Sequence, residues 1–170
     1  MSHLSSSEWL HMFGSLQNIA KFLSISTLLV LIDQLTKWLA QTRFAESEFI
    51  PVTSFFNLGL TYNTGAAFGF LANQSGWQRW ALSLIALAAV IVIVGLMLKH
   101  HREKHFSYGL AFILAGALGN LIDRIQLGKV VDFLDFYYIN YHWPAFNFAD
   151  VFIFIGVLIV LFFSEKAVKN

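Results

Sequence analysis

The ten carboxylates of this 170-residue chain are divided unevenly. All five glutamates (Glu8, Glu46, Glu48, Glu103, Glu165) fall in tails or loops, and all five aspartates (Asp33, Asp123, Asp132, Asp135, Asp150) fall in or beside long apolar stretches. An aspartate at the centre of a bilayer costs about 2.5–3.5 kcal/mol to insert, so five such placements point to a use. Two carboxylates held about 3 Å apart cannot both ionise and share one proton. The ionised member can then activate a water, while the protonated member polarises a carbonyl and later protonates a leaving amine. That chemistry cleaves peptide bonds without metal or thiol. Other hydrolytic machineries lack their parts. The chain has no cysteine, no His-Glu-x-x-His zinc motif and no Gly-x-Ser-x-Gly nucleophile turn. None of its six histidines lies within an apolar stretch.

Several of these aspartates also have structural readings. Asp33 and Lys37 are i and i+4 on one helical face, the spacing of a salt bridge that offsets their insertion cost. Asn120, Asp123 and Arg124 share a face at i, i+3, i+4 and could form a charge group at a membrane surface. Asn147 and Asp150 have N-cap and N3 spacing, with Pro144 upstream fitting a helix start. Asp132 has no such role, since it follows Gly128-Lys129-Val130-Val131, which reads as an apolar-flanked turn. Asp135 is expected to face water.

The elements that position these residues follow from composition. Apolar residues are 57% and charged residues 12%, against roughly 45–50% and about 25% in soluble domains. A soluble globule and a disordered chain are both excluded, and a net charge of +1 offers no nucleic-acid footprint. Four stretches approach the roughly 20 residues a bilayer core demands: about 22–40, 80–98, 106–127 and 145–164. The basic loop Lys99–His105, with Lys166 and Lys169 in the tail, places that loop and both termini on the cytoplasmic side. Asp33, Asp123, Asp132 and Asp150 then fall at one depth near the opposite face. In the N-terminal tail, Ser5 and Glu8 have capping-box spacing before an apolar face, which reads either as a helix on the membrane surface or as a frayed tail. Between about 43 and 63, Phe56, Leu58, Leu60 and Tyr62 alternate with Asn57, Gly59, Thr61 and Asn63, which is the period of a strand outside the membrane. A short amphipathic helix or loop is expected over Thr64–Leu71. Gly116 and Gly119, with Ala115 and Ala117, give the third stretch a small face suited to close helix packing. No repeat or linker divides the chain, so residues 1–170 read as one domain.

Five segments carry a family resemblance. They are Asp33-Gln34-Leu35-Thr36-Lys37, Tyr62-Asn63-Thr64-Gly65-Ala66-Ala67-Phe68, Gly116 through Arg124, Val130-Val131-Asp132-Phe133 and Phe146-Asn147-Phe148-Ala149-Asp150. In order and separation they resemble lipoprotein signal peptidase, the signal peptidase II family of the bacterial inner membrane. The resemblance covers residues 33 to 150. It implies four transmembrane helices with a small periplasmic β-cradle and a short periplasmic helix. It also implies a metal-independent aspartic endopeptidase that cuts diacylglyceryl-modified prolipoproteins on the amino side of the lipidated cysteine. Carried over residue by residue, Asp132 and Asp150 would be the catalytic pair. Asn63, Gly65, Asn120, Arg124 and Asn147 would hold substrate or the pair, and Asp33, Lys37 and Asp123 would support them. Asn63 to Phe68 could act as a lid. No cofactor or metal is implied. The expected partners are the prolipoprotein and membrane lipids, with the chain acting as a monomer.

Two other classes use the same residues. Asp33, Asp123, Asp132 and Asp150 could relay protons or ions, or the scaffold could bind lipoproteins without cleaving them. Clustering at one depth and the lack of a repeat argue against a translocator.

Overall fold

The computed structural model describes residues 6–65 and 76–164. Its elements in chain order are α1 (Ser6–Arg43), β1 (Phe49–Thr53), β2 (Phe56–Asn63), α2 (Trp77–His100), α3 (Lys104–Gln126), β3 (Val130–Tyr138), β4 (Tyr141–His142) and α4 (Phe148–Ser164). Among the described residues, α1, α2 and α3 are long and apolar enough to cross a membrane, while α4 is apolar over a shorter length. The outer faces suit lipid: Leu28, Leu31 and Leu35 on α1, Leu84, Ile85 and Ile91 on α2, and Phe154 and Phe162 on α4 are all exposed.

α3 is the axis of the bundle. Its Leu110, Ala111 and Leu114 meet Phe22 of α1 and Ile93 and Met97 of α2 in one apolar cluster. Its small residues face α4. A methyl group on Gly156 would lie 2.6 Å from the Gly109 carbonyl oxygen, 2.7 Å from the Ile113 side chain and 2.8 Å from the Ile113 nitrogen, so the helices approach closely where Gly109 faces Gly156. Gly156→Ala is therefore expected to cost about 1–3 kcal/mol of stability through forced separation of the helices, read as a lower thermal transition in detergent. α3 ends where Gly128 (φ 76°) turns the chain and donates to the Arg124 carbonyl. Arg79 of α2 supplies further donors to the last carbonyls, to Arg124 at 3.0 Å and Ile125 at 2.8 Å.

The sheet is antiparallel in the order β1-β2-β3-β4. A second apolar cluster joins it to the helices, with Ala40 of α1 against Phe133 and Leu134 of β3 and Phe56, Leu58, Phe146 and Phe148 around them. After β4 the chain returns beside β3, and Leu134 and Phe146 exchange both backbone hydrogen bonds. This excursion carries the chain from Asp132 on a strand to Asp150 in the first turn of a helix.

The structure corrects two expectations here. The β-element extends beyond 43–63, because its longest strand is 130–138, whose first two residues were expected to belong to a turn. The first six residues of β3 are all buried, so the period-two alternation that exposes a strand in sequence is absent. α1 is one continuous helix from Ser6, without a separate N-terminal surface helix. The helix expected over Thr64–Leu71 falls mostly outside the described residues.

Candidate active site

The site lies where α1, α3, β3 and the start of α4 converge, and it is organised around Lys37. The lysine is 2% exposed, and each of its three ammonium N–H bonds has an acceptor: Asp33 Oδ2 at 2.9 Å, Asp123 Oδ2 at 2.9 Å and Asn120 Oδ1 at 3.0 Å. The expected Asp33–Lys37 pair is present and reaches beyond its own helix. Asp33, fully buried, uses its other oxygen to accept the Ala149 backbone N–H at 2.8 Å and so holds the first turn of α4. Asp123 accepts the Val131 N–H at 3.1 Å and holds the start of β3 one residue before Asp132. One cation thus links the two carboxylates that position the two elements bearing Asp132 and Asp150.

Asn147 connects those elements directly. Its side-chain amide donates to Asp132 Oδ1 at 2.7 Å, while its backbone N–H donates to Asp150 Oδ2 at 3.2 Å. Asp150 returns its own N–H to Asn147 Oδ1 at 3.1 Å, completing a reciprocal cap. The other oxygen of Asp150 accepts from Asn120 Nδ2 at 2.8 Å, and Asn120 Oδ1 faces Lys37. Capping and site construction are therefore the same set of bonds. Asn63 donates its side-chain amide to Asp132 and accepts the Gly65 N–H at 2.9 Å, fixing the chain where β2 ends. Arg124 lies within the fields of Asp150, Asp123 and Asp132 and reaches the Asn120 carbonyl oxygen at 3.4 Å. Among the described residues no buried side-chain nitrogen or oxygen lacks a partner.

Burial, and then the charge of Asp150, push the Asp132 carboxyl up to about 7, against smaller opposing effects from Asn147, Asn63 and Lys37. Asp132 is 3% exposed. A carboxyl that keeps its proton near neutrality beside a second carboxylate is the arrangement that one shared proton demands.

All ten residues singled out in the sequence meet in this one network. Two contributions are additional. Gln34 bridges Asp33 (3.2 Å), the Gly119 carbonyl (3.2 Å) and Asp123 (2.9 Å), and its polarity within an apolar stretch was the available signal. Gly119 leaves space for the Asp33 carboxylate, which a methyl group there would strike. Asp135 corrects an expectation: it is 4% exposed and bound by Asn57 and His142, not by water. Of the lid expected over Asn63–Phe68, residues 66–68 lie outside the described residues.

The family model described as signal peptidase (SPase) II matches residues 25–165. A lipoprotein signal peptidase of Ralstonia nicotianae is 47% identical over 157 residues, 92% of this chain and 91% of the relative. One from Burkholderia mallei is 47% identical over 152 residues, 89% and 92% of the two chains. A bacterial membrane enzyme solved by the in meso method at 2.3 Å superposes with a TM-score of 0.78 at 31% identity, covering 89% of this chain and 91% of that one. Another, at 1.9 Å, gives 0.74 at 30% identity, covering 84% and 91%.

Proposed function

This chain belongs to the signal peptidase II family, the lipoprotein signal peptidases, and from that premise we propose that Asp132 and Asp150 perform the hydrolysis. The observation that carries the reading is Asn147, a single residue hydrogen-bonded to both carboxylates. The pair holds one proton, kept on Asp132 by its burial. A water between them attacks the scissile carbonyl carbon and gives its proton to the ionised carboxylate. Asp132 donates a hydrogen bond to the carbonyl oxygen as the tetrahedral intermediate forms. The carbon–nitrogen bond then breaks, a proton passes to the leaving amine, and the signal peptide departs as a carboxylic acid. The amine is the α-amino group of the diacylglyceryl cysteine, which begins the mature lipoprotein. Arg124 and Asn63 hold the substrate backbone beside the pair.

The same reading sets the molecule in the bacterial inner membrane with α4 as a fourth span. The basic Lys99–His105 loop and both termini face the cytoplasm, and the sheet and the carboxylate pair lie at the periplasmic face. Cleavage then occurs where the signal helix leaves the bilayer and water is scarce. The small Gly and Ala faces of α3 keep the helices close beneath it.

The test is a gel-shift assay with purified protein in lipid and a diacylglyceryl-modified prolipoprotein, run across pH. Cleavage of the lipidated precursor, and not of the unlipidated one, is expected. A carboxyl with a raised value is protonated below it and charged above it. The rate should therefore fall as pH rises through about 7, where Asp132 loses the shared proton. Absence of cleavage in folded protein would sink the peptidase reading, and a rate that kept rising through pH 8 would sink the shared proton.

A further inference from the structure

A pocket of about 370 Å³ lies on the sheet, apart from the carboxylate pair. Phe49 and Trp143 supply apolar lining, and Thr61, Asp135 and His142 supply polar lining. The pocket is continuous with the active site through the backbone. Thr61 is the register partner of Asp132 across β2 and β3. Asp135 lies three residues farther along the same strand, about 10 Å at ~3.3 Å per residue. On its other side Pro144 and Ala145 complete the lining and lead to Asn147. Gly59 leaves the space that the Phe49 ring fills over β2.

The polar lining is built rather than incidental. Asp135 is buried, accepts Asn57 Nδ2 at 2.7 Å and receives His142 Nδ1 at 2.9 and 3.0 Å from its two oxygens. A carboxylate only accepts, so Nδ1 of His142 carries a proton toward Asp135 and the contact holds the ring against it. Among the described residues Nε2 has no hydrogen-bond partner, and the ring is more than half exposed. The pocket therefore presents acceptors (the Thr61 hydroxyl and the remaining lone pairs of Asp135) beside the His142 ring and between two aromatic side chains. Such a site suits a segment that brings N–H and O–H donors and small side chains. It disfavours carboxylates, which would meet the Asp135 charge.

We propose that this pocket binds the mature segment of the precursor, about two to four residues beyond the scissile bond by strand spacing. This rests on the peptidase reading above. The signal peptide lies within the bilayer, so the chain that leaves over the sheet is the one that follows the lipidated cysteine. Extended along β3, it reaches Asp135 after about three residues. The pocket thereby makes the enzyme sensitive to the first mature residues, beyond its requirement for the lipidated cysteine.

The experiment uses full-length protein in lipid and three diacylglyceryl-modified precursors. One stops at the residue after the cysteine, one continues for eight neutral residues, and one continues with aspartates at the second to fourth positions. The native protein should cleave the neutral extension with a kcat/KM about tenfold above the short substrate, expressed in KM, the size expected of one or two hydrogen bonds. The acidic extension should fall back to the short substrate's level. In His142→Ala, and independently in the surface variant Trp143→Ala, the ratio of extended to short should drop to about two or less. Equal cleavage of short and extended precursors by the native protein would overturn the proposal without any variant. An unchanged ratio in both variants would overturn it too. Cleavage of none of the three would remove the peptidase reading along with it.

Discussion

Asp132→Asn and Asp150→Asn should each slow precursor cleavage by roughly 10²–10⁴-fold, the range lost when a positioned acid or base is removed. The double variant should cost little more than either single one, because the two act as a unit. Binding of the precursor should survive, since Asn63, Asn120, Arg124 and Asn147 are untouched. The two variants separate on stability. Asparagine at 132 replaces a buried carboxyl whose charged form burial disfavours, so the thermal transition should hold or rise. Asparagine at 150 has only one acceptor oxygen for the Asn147 N–H and the Asn120 amide, so α4 should lose part of its cap, about 0.5–1 kcal/mol. Gel-shift time courses and thermal melts in detergent read both effects. A variant that kept a tenth of native activity would return the role to another carboxylate, Asp123 first.

Lys37→Met should be the most destabilising single change in the molecule. Methionine fills much of the same volume but leaves Asp33 and Asp123 buried and facing each other without a cation. Removing one member of a buried ion pair costs about 3–5 kcal/mol. Activity should fall with stability, because Asp33 holds the first turn of α4 and Asp123 the start of β3. The diagnostic measurement is the double variant Lys37→Met with Asp33→Asn, which removes one stranded charge and should be less destabilised than the sum of the two singles. Strict additivity would mean that the lysine contributes only bulk.

Local spacing was what made most of the site legible. Asp33 with Lys37 and Asn147 with Asp150 are helical neighbours, and their partners can be read from i+4 and i+3 counts alone. β2 announced itself because it alternates. The remainder depends on contacts that sequence distance hides. β3 is buried on both faces where it carries Asp132, so its pattern resembles an apolar turn more than a strand. Asp123 stands beside Arg124 in the chain but bonds to Lys37, 86 positions earlier. Asp135 looked solvent-facing until the β3–β4 hairpin brought His142 over it. The four apolar stretches correspond in order to helices α1 to α4, while the ends shifted by as much as 16 residues at the start of α1, where polar residues continue a helix that hydropathy alone would stop.

The Lys37 hub also has a bearing on the order in which the molecule is made. Asn120 emerges from the ribosome 83 residues after Lys37, and the Ala149 amide 116 residues after Asp33. At about 5–20 residues per second, α1 exists for roughly 4–17 seconds before its partner on α3 is synthesised. During that interval an isolated lysine or aspartate would sit in the bilayer at a cost of about 2.5–3.5 kcal/mol. The Asp33–Lys37 pair is complete within α1, so each charge has a companion from the moment the helix forms. The final structure then inherits a temporary bond and extends it, with α3 adding Asn120 and Asp123 and α4 adding its first-turn amide. Assembly is thereby biased toward docking α3 on α1 before α4 closes over Asp33, and the carboxylate pair becomes whole only when the last helix arrives.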